Sequence, residues 1–134
     1  MATIVLAEDD VHIIRVVSMW LKQHKHQVLE ASNGKKALEL VRTSGCDLLI
    51  TDVNMPVMGG IELARTCAAE GLARWGIVML TSRCDQSDIV DCLTGLPVVF
   101  HPKPFSPSRL VSEVEQLIRN AQTAGPKPAD CPAR

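Results

Sequence analysis

Thr3-Ile4-Val5-Leu6-Ala7-Glu8-Asp9-Asp10 joins an unbroken apolar run to three consecutive acids. A strand with no polar alternation fits a sheet covered on both faces, which is the habit of parallel sheets. The run then stops at charge, so the strand predicts its own carboxyl end. Apolar residues next recur at helical spacing at Val11, Ile14, Val17 and Leu21, which predicts a helix. The same alternation continues outward along the chain.

Val28-Leu29 is a weak second strand, and Ser32-Asn33-Gly34 supplies start signals for a helix over residues 35–43 with Ala37, Leu38 and Val41 inward. Leu48-Leu49-Ile50 is a third strand that stops at Thr51-Asp52. A loop with Pro56 and Gly59-Gly60 leads into a helix carrying Ile61, Leu63, Ala64 and Ala68. Ile77-Val78-Met79-Leu80 is the most apolar strand, residues 85–93 are a short helix, and Val98-Val99-Phe100 is the fifth strand. Ser106-Pro107 reads as cap and first turn of a last helix with Leu110, Val114, Leu117 and Ile118 inward. Five strands alternating with five helices imply an α/β fold with a five-stranded parallel sheet and helices on both faces. Residues 1–122 form one domain in this reading, and residues 123–134, rich in Ala, Gly, Pro and Lys, a disordered tail.

Composition narrows the function classes. Hydrophobic residues are 46% of the 134, enough for a core without disulfides or a structural metal. A formal charge of -1 with scattered Lys and Arg gives no electrostatic case for direct nucleic-acid binding. No apolar run is long enough to span a membrane, and no signal-peptide pattern stands at Met1. Cys46, Cys67, Cys84, Cys92 and Cys131 have no metal-ligand spacing, and most of them read as reduced, small apolar residues. The expected compartment is therefore the cytoplasm.

In open α/β sheets, ligands bind beyond the carboxyl ends of the strands. There the first strand offers Glu8-Asp9-Asp10, the third Asp52, the fourth Thr81-Ser82, and the fifth is followed by Lys103. Clustered carboxylates repel one another unless a cation neutralises them, and Mg²⁺ favours such oxygen ligands. An Asp carboxylate can attack a phosphoryl group, whose oxygens then need metal, ammonium and hydroxyl partners. Asp9 and Asp52 would hold the metal, Lys103 would supply the ammonium and Thr81 the hydroxyl.

Ile4-Val5-Leu6-Ala7-Glu8-Asp9-Asp10, Leu49-Ile50-Thr51-Asp52-Val53-Asn54-Met55-Pro56, Met79-Leu80-Thr81-Ser82 and Lys103-Pro104-Phe105 together resemble the receiver domain of bacterial two-component response regulators, of the stand-alone, chemotaxis-regulator type. The similarity covers roughly residues 3–121. It implies a flavodoxin-like, doubly wound fold and a phosphoryl donor that is a sensor histidine kinase or phosphotransfer protein. By the same resemblance Asp52 is the phosphoacceptor, Asp9 a direct Mg²⁺ ligand, Glu8 a ligand through water, and the Asn54 backbone carbonyl a further ligand. Thr81 matches the hydroxyl residue that moves toward the phosphate, Lys103 the phosphate-binding lysine, and Phe100 the switch aromatic. The downstream protein partner is not implied, because residues 94–97 and the Pro102 and Pro104 pair depart from the family pattern near the usual partner surface. The expected state is a monomer or weak dimer, either a single-domain regulator or a receiver from a longer regulator or hybrid kinase.

Plainer roles stand beside these. Asp10 can serve only as a helix cap, Thr81-Ser82 as an ordinary strand end, Phe100 as core, Asn54 as a turn residue, and Trp20 and Trp75 as packing. Two other functions compete with the switch. A Mg²⁺-dependent phosphohydrolase would usually carry a second catalytic Asp where Asn54 stands. A degenerate scaffold would lack the acceptor, the acids or the lysine, and this chain has all of them.

Overall fold

The computed structural model describes residues 2–53, 55, 57–73, 75–81, 98–102 and 106–124. Within these limits the side chains of Thr81, His101, Pro102 and residues 122–124 are also left undescribed. The chain runs β1 (Thr3–Ala7), α1 (Val11–Gln23), β2 (Gln27–Ala31), α2 (Gly34–Ser44), β3 (Leu48–Asp52), α3 (Gly60–Ala69), β4 (Gly76–Thr81), β5 (Val98–Pro102) and α4 (Pro107–Ala124). The expected helix over residues 85–93 lies outside the described residues.

All strand pairs are parallel, in the order β2-β1-β3-β4-β5. The order reverses between β1 and β3, so the crevice between their carboxyl ends is the switch point of a doubly wound, flavodoxin-like sheet. Alternate strand residues serve opposite faces. On one face Val5, Ala7, Leu49, Ile77 and Met79 pack with Ala37, Leu38 and Val41 of α2 and Leu63, Ala64 and Cys67 of α3. On the other, Ile4, Leu6, Leu48, Ile50, Val78 and Leu80 pack with Val17 and Leu21 of α1 and Leu110, Val114 and Ile118 of α4. Double coverage explains the unbroken apolar strands.

Local signals act where the sequence places them. Asp10 caps α1, its Oδ1 accepting from the His12 amide at 2.9 Å. Asn33 caps α2 through the Lys36 amide at 2.9 Å, and Gly45 ends that helix at φ +65°. Trp20 and Trp75 are partly buried against the second core, as packing residues. Cys46 and Cys67 are free and buried.

Val11, at the start of α1, is 60% exposed. At 3.6 residues per turn it lies roughly 120° around α1 from Val17, so it shares the helix but not its buried face. The last helix spans Pro107–Ala124. Among the described residues, no helix is long and apolar enough to cross a membrane.

Candidate metal centre

β1 and β3 pair with Ala7 opposite Thr51, and the next residue on each strand is an acid. Glu8 and Asp52 therefore leave the sheet side by side. Glu8 is held from two directions. Its amide donates to the Ala31 carbonyl at the end of β2, at 3.0 Å, and its Oε2 accepts from the Asp10 amide at 3.3 Å. The Val53 amide donates to Asp52 Oδ1 at 2.9 Å and orients that carboxylate in the crevice. Thr51, on the other side, donates through Oγ1 to the Asp52 carbonyl at 2.9 Å.

Glu8, Asp9 and Asp52 each offer a carboxylate oxygen, and these oxygens lie within 4.8 Å of one another. Glu8 is 1% exposed and Asp52 7%, whereas Asp9 is open to solvent. The set fits Mg²⁺ on its chemistry: all donors are hard oxygens, two are buried, and no Cys or His belongs to the group. Oxygens bound to one Mg²⁺ at about 2.1 Å stand roughly 3–4 Å apart, a spacing near that of the trio. An exposed third ligand leaves room for water and for a phosphate oxygen.

The other expected residues divide. Thr81 ends β4 at this same sheet end, one residue beyond Leu80, which is the register partner of Asp52. Phe100 lies on β5 opposite Met79, half-buried against the α2–α3 core. Asn54 and Lys103 lie outside the described residues, as does the side chain of Thr81.

Two supporting features were not legible beforehand. Gly60, which opens α3, sits against the Asp52 carbonyl, where a Cβ would stand 2.0 Å away. Gly34, which opens α2, sits equally close to the Met58 carbonyl, at 2.2 Å from an added Cβ. The glycines mark loops in the sequence, but only the folded chain shows which carbonyls they admit.

The sequence matches the model of the response regulator receiver domain over residues 4–115. It is 29% identical over 120 residues to the transcriptional regulatory protein SrrA of Staphylococcus aureus, covering 90% of this chain and 49% of that protein. The chain thus spans about half the length of the curated relatives it matches. Among solved structures it is similar to the chemotaxis response regulator CheY4 of Vibrio cholerae, with 28% identity, a TM-score of 0.77, and coverage of 87% and 98% of the two chains. A Francisella response regulator receiver domain shares the fold at a TM-score of 0.81 and 22% identity, covering 90% of this chain and 99% of that one. The family match extends over both strand ends that form the acidic crevice, and the chain belongs to the response regulator receiver domain family.

Proposed function

We propose that Asp52 accepts a phosphoryl group from a sensor histidine kinase or phosphotransfer protein, beside Mg²⁺ held by Glu8, Asp9, Asp52 and the Asn54 carbonyl. Phosphorylation-dependent two-component signalling is the common function of receiver domains, which are signalling domains and not turnover enzymes. The observation that carries the reading is the trio of carboxylate oxygens within 4.8 Å at the switch point of the sheet.

An oxygen of Asp52 forms the new P–O bond as the P–N bond to the donor imidazole breaks, and the electron pair leaves on that nitrogen. Bound Mg²⁺ supplies charge neutralisation for the phosphoryl oxygens. The Val53 amide on Asp52 Oδ1 holds the carboxylate in place, so little orientational freedom is lost at attack. In this reading Lys103 supplies an ammonium and Thr81 a hydroxyl to the phosphoryl oxygens. Phe100 turns inward as Thr81 shifts, which changes the surface shown to a downstream protein partner. The chain acts in the cytoplasm, as a monomer or weak dimer, without direct contact to nucleic acid. The domain spans residues 1–122.

Incubation with acetyl phosphate tests this by intact mass. The reading expects one added phosphoryl group, about 80 Da, that requires Mg²⁺ and is absent from Asp52→Asn. No adduct, no phosphate release and no Mg²⁺ binding would together overturn it.

A further inference from the structure

The turn between β2 and α2 touches both arms of the acidic crevice. At its start the Ala31 carbonyl accepts the Glu8 amide at 3.0 Å; at its end the Gly34 amide donates to the Met58 carbonyl at 3.2 Å. Met58 belongs to the loop that follows Asp52. That loop returns to the strand end through the Gly60 amide, which donates to the Val53 carbonyl at 2.8 Å. Four residues thus span the gap between the acids of β1 and the acceptor loop of β3.

Gly34 is the critical member. It has no positive φ, unlike Gly45, Gly71 and Gly76, so its backbone conformation is open to any residue. What the position requires is room: an added Cβ would stand 2.2 Å from the Met58 carbonyl oxygen and 2.9 Å from its carbon. Both are backbone atoms, which no rotamer change can remove. A side chain at this position must push the acceptor loop away from α2. Asn33 ties the start of α2 through the Lys36 amide at 2.9 Å.

We propose that the β2–α2 turn, through Ala31 and Gly34, is a positioning element that sets the separation of Glu8 and Asp9 from Asp52 for Mg²⁺. The proposal rests on the metal-centre reading above. Gly34 touches neither the metal nor the phosphoryl group; it acts through the Met58 carbonyl on the loop carrying the site.

The test compares the Mg²⁺ affinity of wild type, Gly34→Ala and Gly45→Ala, well below the unfolding temperature of each. Gly45 takes φ +65° with open space around it, so its alanine strains the end of α2 without touching the crevice. Gly34→Ala is expected to weaken Mg²⁺ binding about tenfold or more, as loss of an outer support does in other metal sites, and Gly45→Ala by less than about twofold. Amide exchange in the wild-type protein gives a readout independent of any variant. Mg²⁺ is expected to slow exchange at Gly34 and Glu8 several-fold and to leave Gly45 unchanged. Equal affinities for wild type and Gly34→Ala, equal losses in both variants, or no Mg²⁺ effect on the Gly34 amide would overturn the proposal. If Gly34→Ala does not fold, the exchange result decides alone. If wild type binds no Mg²⁺, the metal-centre reading itself fails, an outcome distinct from a wild type that binds beside an unimpaired Gly34→Ala.

Discussion

Gly60 lies so close to Asp52 that a Cβ on the glycine would stand 2.0 Å from the aspartate's carbonyl oxygen. The contact joins the start of α3 to the last residue of β3, and the Gly60 amide ties the same turn to the Val53 carbonyl. Asp52 therefore stands at a point where two elements meet with no space for a side chain. Its backbone is braced from below by Thr51 and from the side by Gly60.

Gly60→Ala is expected to destabilise the fold by about 2–3 kcal/mol, because overpacking against backbone outweighs the modest helix-propensity gain of alanine. Urea unfolding of the variant beside wild type measures it. A change below about 0.5 kcal/mol, the range of a neutral surface substitution, would contradict the close contact.

Val57 adopts φ +71° and is 76% exposed in the loop after Asp52. A β-branched residue is strained in that region, whereas Asn tolerates it. Val57→Asn should stabilise the protein by roughly 0.5–1 kcal/mol in the same unfolding assay. Lower stability would mean that the loop gains more from the valine side chain than it loses to strain.

His26 ties the far end of the molecule together. Its ring accepts from the Ala2 amide at Nδ1, at 3.2 Å, so Nε2 carries the proton donated to Glu115 Oε2 at 2.6 Å. The imidazole is 3% exposed, so Glu115→Ala leaves a buried N–H without its acceptor, at a cost of about 1–3 kcal/mol. Thermal unfolding at neutral pH reports the loss, and Glu115→Gln should recover part of it by keeping an acceptor.

Burial pushes the Cys46 thiol up to about 12 and the Cys67 thiol up to about 11, with Glu70 adding to the second. At pH 8 about one thiol in ten thousand at Cys46 and one in a thousand at Cys67 is ionised, so both should resist alkylation until the protein unfolds. Their folded values lie above the ordinary 9.0, so the stability they contribute is full below about pH 9 and is lost as pH climbs toward 11 and 12. Peptide-resolved iodoacetamide labelling with and without urea checks the first expectation, and unfolding curves from pH 8 upward check the second. Fast labelling of native Cys46 at pH 8 would contradict its burial.

Much of the architecture is legible because each layer repeats its signal. The apolar run from Thr3 to Ala7 means double coverage, and Asp10 and Asn33 cap the helices they precede. Five runs of this kind identify the sheet edge where Glu8, Asp9 and Asp52 converge. The exposure of Val11 was not legible, because hydrophobic spacing gives a period while the packed face is set by what the helix meets. His26 escaped because it closes a polar stretch, and its partner Glu115 is 89 residues away. The placement of Gly34 and Gly60 escaped for the same reason. A glycine signals permission for a close approach, and the carbonyl that makes the approach belongs to another segment.

Among the three clustered acids, Asp52 is proposed to carry the phosphoryl group. An acyl phosphate reacts with borohydride, whereas a free carboxylate does not, so reduction marks the acceptor permanently. The protein would be treated with acetyl phosphate and Mg²⁺, reduced, digested and mapped by mass, with a sample in chelator beside it. A single Mg²⁺-dependent mark at Asp52 is expected, with Glu8 and Asp9 unmodified. A mark at Glu8 or Asp9 with Asp52 untouched, or one at Asp52 that persists in chelator, would contradict it.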